Sequence, residues 1–385
     1  ISSNCKSFML PILCYREKMN KLCRQLSIES PSVTGRDCVF SFDVPVPDVP
    51  AHGARIRVVC AGACYHPRRS PSLTSLTSVS SGSSLAADIS VESDYPVFIP
   101  HHGLRDAALF PGYEVAGVIE SFGTEVPEDR ELAVGDRVIL YPYDGIPNGY
   151  VEYLVVHDLK YLIKLPDNMS LSVGAMLPAG ALLAMNTVFA AHEHVQALLK
   201  ERGEKSVCKI LVVGTGGLAL WALRIASYHF SNMRDRVTTT IATLKDDGLL
   251  IAQEFQRNSR HIGYRVNVVQ WNEDLYEKQL IERTMDACGG QVDVVIDFGT
   301  TSRNLHRSMQ CLSKGGVVFV IKEVIKPVEP GTLEQLRELV QLVASGDIEP
   351  PPHTVYPAEE ALDVVQKLCH SEIQGRAILR FYPAD

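Results

Sequence analysis

Lys209–Ser227 reads KILVVGTGGLALWALRIAS, and the reading of this stretch decides the fold. Ile210–Val213 is an apolar run short enough for a fully buried strand. It runs into Gly214, Gly216 and Ala219 in G-x-G-x-x-A spacing, and Leu218, Trp221, Leu223 and Ile225 then mark a mostly apolar helix. Glycines at this spacing carry meaning only in the order strand, tight turn, helix, which is the order here. Gly214 allows the turn, Gly216 lets the backbone approach a pyrophosphate, and the small Ala219 lets helix and strand pack closely. The phosphates would sit on the helix N-terminus. A glycine-rich turn with no ligand is the plainer alternative, and the context favours a dinucleotide site.

Downstream the chain repeats strand then helix. Strands are expected at 237–244, 265–271, 292–298 and 316–321. Helices are expected at 247–256, 273–287 and 304–312, with a clear amphipathic helix at 333–344. Alternating β and α with buried apolar strands means a parallel, doubly wound sheet. The tail, 357–381, reads as one more helix and a final strand, RAILRF.

Upstream the text changes character. RIRVVC at 55–60, PGYEVAGVIESFG at 111–123, AVGDRVILYP at 133–142 and NGYVEYLVV at 148–156 read as short antiparallel strands. MLPAGALLAMNTVFAAHEHV, 176–195, is helical and leads into the glycine motif. Residues 68–93 hold many serines and little that packs, which predicts a flexible surface insertion rather than a functional lid. The first residues have no clear period, and translation is expected to start at Met19, so that 1–18 need not belong to the mature protein. Phe8–Cys14 is too short and too polar in its flanks for a good signal peptide.

A chain of 385 residues predicts two domains. Its net charge of −8 argues against a nucleic-acid surface. No apolar run reaches the roughly eighteen residues of a membrane helix. Ten scattered cysteines without a C-x-x-C pair suit a reducing compartment, so a cytoplasmic location is expected.

Several segments, in order, resemble the medium-chain dehydrogenase/reductase family of alcohol dehydrogenase type. They are GACYH at 62–66, PGYEVAG at 111–117, VGDRV at 134–138, EYLVV at 152–156, the glycine motif, VIDFG at 295–299 and GRAIL at 375–379. The resemblance implies an α/β protein with two parts: a GroES-like, β-rich catalytic domain over 19–190, completed by 345–385, and a Rossmann doubly wound parallel-sheet domain over 191–344. RAILRF would return to the first domain. The cofactor is expected to contact Gly214, Gly216, Gly217, Leu218, Thr243, Lys245, Phe298 and Gly299.

The departures from the family bear on mechanism. Zinc members hold the catalytic metal with three protein ligands and keep one position open. Cys64 matches the first ligand, but Tyr113 stands at the second and Ala179 at the third. The four-cysteine lobe of a structural zinc has no counterpart between Tyr141 and Val151. His66, His101, His102 and Glu114 lie near enough in sequence to rebuild a site, yet ligand count and geometry must both be met, so no metal is expected. After Ile321 a nicotinamide-contacting loop looks deleted, leaving room for only a short sixth strand at 324–328. That counts against the family's strand-paired homodimer. The second Rossmann strand ends near Thr243 without the acid that bonds a ribose 2′-hydroxyl, and Lys245 follows. Asp246 and Asp247 count the other way, unless they start the next helix. NADP(H) is therefore expected ahead of NAD(H).

The leading expectation is a zinc-independent, NADP(H)-dependent oxidoreductase acting on a small carbonyl, enone or quinone. Tyr113 and His66 are its candidate proton donors, with Tyr113 equally readable as packing, and Cys64 completes the candidate catalytic set, read as a buried remnant ahead of a nucleophile. The alternatives are an inactive relative serving as scaffold or sensor, and a zinc alcohol dehydrogenase with rebuilt ligands.

Overall fold

The structure is a computed structural model that describes residues 21–28, 39–63, 112–143, 149–214, 216–244, 246–259, 264–272, 274–298, 302–320, 331–370 and 372–382. The expected start at Met19, the serine-rich insertion 68–93 and the short strand 324–328 lie outside these residues. So do Cys64, His66, His101, His102, Lys245 and Gly299.

Five strands form a wholly parallel sheet: β8 (Cys208–Val213), β9 (Val237–Thr243), β10 (Val266–Gln270), β11 (Val292–Asp297) and β12 (Leu312–Val320). Their order is β10-β9-β8-β11-β12. The chain therefore steps outward from β8 on one side and returns to start again at β11 on the other. At that reversal the C-terminal ends of β8 and β11 lie side by side, with Val213 opposite Asp297. A crevice at this point is where doubly wound sheets take their ligands. Between the strands run α3 (Gly217–His229), α4 (Asp246–Ser259), α5 (Glu277–Cys288) and α6 (Ser302–Gln310). Ile210–Val213 are fully buried, as their unbroken apolar run requires.

The second sheet is mostly antiparallel. It contains β3 (Ala54–Ala63), β4 (Val115–Phe122), β5 (Arg137–Leu140), β6 (Tyr153–Val156), β7 (Leu162–Lys164), β13 (His353–Pro357) and β14 (Arg376–Arg380). Its main path is β13-β14-β3-β4-β5-β7, with β6 also paired to β3. The expected return of RAILRF is seen: β14 lies antiparallel to β3, with Ala377 opposite Ala63. A separate hairpin, β1 (Leu22–Ile28) with β2 (Val39–Pro45), joins this half through Gln25 and Val151.

Several element bounds differ from the sequence reading. The strand expected at 148–156 is confined to 153–156, because Tyr150 is drawn into the core and its hydroxyl donates to the Gly62 carbonyl at 2.9 Å. The helix expected at 176–195 is two pieces, a π-helical turn Leu177–Ala181 and α2 (Leu182–Arg202), preceded by a short α1 (Leu171–Ala175). Pro178 has no N–H for a regular ladder, and the widened turn accommodates it. The helix expected from residue 273 starts at Glu277, where the Tyr276 backbone N–H donates to the Gln279 side chain across the first turn. The fifth parallel strand begins at Leu312 rather than 316. The amphipathic helix α7 (Leu333–Ala344) has its expected bounds, capped by Thr332, and α8 (Ala361–His370) precedes the last strand. Among the described residues no helix is long and apolar enough to cross a membrane.

Candidate functional site

The β8–α3 turn stands at the reversal point of the parallel sheet. Gly214 has φ +134°, a conformation that side-chain-bearing residues rarely adopt. A Cβ built on it would lie 3.2 Å from the Ala219 Cβ and 3.5 Å from the Phe298 Cβ, so the small residues at 214 and 219 do allow close packing. The Gly214 N–H donates to the Ala242 carbonyl on β9 and the Phe298 N–H to the Val213 carbonyl, each at 3.0 Å. These bonds tie β9, β8 and β11 together where the strands end. Gly216 caps α3 in extended backbone (φ −77°, ψ 176°), without a side-chain capping bond and with no acid in the first helical turn. A Cβ on Gly216 would meet nothing within 4 Å among the described residues, so they leave the space before the helix end open.

The second sheet reaches this turn through one arginine. Arg376 begins β14, and a Cβ on Gly217 would fall 2.3 Å from its Cδ and 2.9 Å from Nη1. The guanidinium thus lies against the first residue of α3. Arg376 also donates to Glu114 Oε2, while Glu114 Oε1 accepts from the Gly180 N–H at 2.9 Å. Glu114 is 2% exposed and Arg376 11%. Gly62 leaves room for the carboxylate, since a Cβ there would sit 2.0 Å from Oε2, and its N–H donates to the Glu114 carbonyl at 2.8 Å. Leu218 closes the group, its Cδ2 3.8 Å from a Cβ on Gly180.

The structure therefore brings together Gly214, Gly216, Gly217, Leu218 and Phe298 from the sequence-based set. Thr243 is also at the sheet's C-terminal edge, but it is fully buried, with its hydroxyl 3.5 Å from the Val269 carbonyl on β10. It offers no polar group to a ribose. Asp246, at the start of α4, accepts a hydrogen bond from Gln270. Tyr113 is half-buried, follows Gly112 (φ +69°) and packs against the apolar core of the antiparallel sheet.

The described residues do not make a zinc ligand set. Ala179, in the π turn, has no donor atom, Tyr113 contacts the apolar core, and the Glu114 carboxylate is taken by Gly180 and Arg376. Among the described residues no three His, Cys, Asp or Glu side chains cluster as metal ligands do. A dinucleotide fits better. The glycine turn is open, the helix N-terminus is uncapped by a side chain, and a guanidinium stands beside it.

Residues 273–379 match the family model of a zinc-binding dehydrogenase. A zinc-type alcohol dehydrogenase-like protein of Schizosaccharomyces pombe is 23% identical over 71% of this chain and 82% of its own length. The quinone oxidoreductase of Mus musculus is 28% identical over 55% of this chain and 54% of its own. The alcohol dehydrogenase of Aeropyrum pernix superposes with a TM-score of 0.63 at 20% identity, covering 93% of this chain and 100% of that one. The acetophenone reductase of Geotrichum candidum, solved in complex with NAD, gives 0.60 at 18%, covering 93% and 97%.

These matches make the chain similar to the medium-chain dehydrogenase/reductase family. By their names most of its curated relatives are dehydrogenases, reductases or oxidoreductases, which indicates an oxidoreductase resembling the alcohol dehydrogenases and quinone oxidoreductases. The arginine at 376 was not identified as functional from sequence, where GRAIL reads only as a turn into an apolar strand. Glu114 stood out there only as a spare metal ligand. The available signal was a charged residue at the edge of each buried strand, PGYEVAG and GRAIL, but 262 residues separate the two.

Proposed function

We propose that this chain is a zinc-independent, NADP(H)-dependent oxidoreductase acting on a small carbonyl, enone or quinone. The observation that carries the cofactor reading is the open turn at Gly216 with Arg376 against Gly217. There the α3 N–H groups and the guanidinium provide converging positive charge for a pyrophosphate. The nicotinamide supplies the hydride chemistry, and the chain has to bind, orient and protonate. NADP(H) is favoured because β9 ends in a buried threonine where NAD-preferring folds place an acid. The nearest acid with a described side chain, Asp246, is bonded to Gln270. Lys245 lies between them in sequence, suited to a 2′-phosphate.

Zinc independence is favoured by Tyr113 and Ala179 at two of the three ligand positions. Charge developing on a substrate oxygen then needs a proton donor or dipole, and Tyr113 and His66 are the groups proposed for it. The division into a catalytic part and a nucleotide part is proposed along the two sheets, with α2 leading from one to the other. A cytoplasmic location and a small-molecule substrate complete the reading. Titration with NADPH and NADH tests it, followed by turnover with quinones, enones and aldehydes. NADPH is expected to bind tighter, and equal affinities would remove the role assigned to Lys245.

A further inference from the structure

Among the described residues the parallel sheet ends on two edge strands, β10 and β12, and they are built differently. A bare edge is a template for another strand, so chains guard their edges with charge, bulges or broken ladders. β12 carries Lys314, a left-handed Gly315 (φ +81°) and a shift of register beside β11. β10 reads VNVVQ, with no charge, glycine or proline, and its register with β9 runs unbroken. Along a strand the N–H and C=O of successive residues point to alternate sides. The Arg265 carbonyl and the Trp271 N–H both bond to β9, so the odd-numbered residues face it. Val266, Val268 and Gln270 face away. Gln256 on α4 takes the Val266 carbonyl at 2.8 Å. The N–H and C=O of Val268 and Gln270 have no hydrogen-bond partner among the described residues.

Two helices flank this edge. Val268 packs toward Ala252 and Phe255 of α4 and Val269 toward Cys288 of α5, so the helices cover opposite faces. Leu249 and Gln253 of α4 and Arg283, Asp286 and Ala287 of α5 line a groove along the strand between them. Leu250 beside it is 57% exposed. Arg283 and Asp286 are exposed, of opposite sign and about one helical turn apart, and neither has an ion pair among the described residues.

We propose that β10 is a homodimer interface: it pairs antiparallel with β10 of a second copy and joins two five-stranded sheets into one. A two-fold axis normal to the sheet at Val268 sets the geometry. There Val268 and the partner's Val268 exchange two N–H···O bonds, and Val266 stands opposite the partner's Gln270. The same axis lays α4 beside the partner's α4 at Leu249, and α5 antiparallel to the partner's α5. Arg283 then meets the partner's Asp286, and Asp286 the partner's Arg283, the reciprocal pairing that an isologous interface requires. The occupant is a second copy because this one surface supplies both halves of every contact.

Sedimentation velocity on the full chain tests this. The wild type is expected to be a dimer at micromolar concentration. Val268→Pro removes an N–H that β9 does not use, and edge strands tolerate proline, so the fold is expected to hold and the dimer to be lost. Arg283→Glu places like charges at both ion pairs and is expected to weaken the dimer at least about tenfold. Adding Asp286→Arg to it restores opposite signs and is expected to restore the dimer. These charge variants lie on the exposed side of α5 and decide the matter should the proline variant not fold. A monomeric wild type overturns the proposal, and amide exchange at Val268 then tells whether solvent or another segment of the chain covers the edge. A dimer that survives in folded Val268→Pro, or is unaffected by Arg283→Glu, lies on another face, and the proposal fails. A charge swap that stays monomeric overturns it too.

Discussion

At the scale of single residues, the proposed chemistry turns on Tyr113. It occupies a metal-ligand position of the family the chain resembles and packs on an apolar core, between Gly112 and the buried Glu114. If its hydroxyl donates to the developing oxyanion, Tyr113→Phe lowers turnover by about a hundredfold while cofactor affinity stays put. Unchanged turnover returns the residue to packing. Cys64→Ala is the companion measurement: hydride transfer should survive it, and loss of activity with the fold intact would restore a thiol or metal mechanism. The glycines of the motif were legible in the sequence because their constraint is local. A positive φ at 214 and a Cβ contact with Ala219 are both set within six residues of chain. The Glu114–Arg376 pair was not legible, because nothing local marks a carboxylate whose partner lies 262 residues on.

At the scale of elements, the bounds of a helix with a strong apolar face were readable and the break inside the apolar stretch 176–195 was not. α7 alternates polar and apolar faces, and its bounds are as expected. The π turn and the first turn of α2 are mostly apolar and buried, so periodicity gave no hint of the break at Pro178. The packing of α2 on α3 has its own pH signature. His229 Nε2 and His192 Nδ1 lie 2.9 Å apart, with Phe189 stacked on His229. Burial, and secondarily His192, pull the His229 imidazole down to about 4 from an ordinary value of 6.5. The unfolded chain then binds more protons than the native one between those values. The contribution of neutral His229 is therefore fully present above pH 6.5 and is lost as pH falls toward 4. Thermal unfolding followed across that window should show a melting temperature that declines with acid, and His229→Phe should flatten the decline. A slope unchanged in the variant would assign it to other groups.

At the scale of the whole molecule, a parallel, doubly wound sheet and the return of the last strand to the antiparallel half were both readable from motif order. The contact of Arg376 with the α3 turn was not, since a side chain carries it across from β14. The metal prediction belongs at this scale. The purified protein should carry no stoichiometric zinc by elemental analysis, and a chelator should change neither its activity nor its melting temperature. One zinc per chain would show that ligands outside Tyr113 and Ala179 rebuild the site.

The position of Arg376 also has a consequence for how the molecule is made. Glu114 leaves the ribosome 262 residues before its partner. At about 5–20 residues per second, that interval is roughly ten to fifty seconds. Throughout it β3 lacks β14, the carboxylate has no guanidinium, and the glycine turn, though already synthesised for part of that time, has only its helix end to offer a phosphate. On the proposed cofactor reading, tight nucleotide retention would arrive with the final strand, and a bound cofactor would mark a chain whose two sheets have already closed on each other.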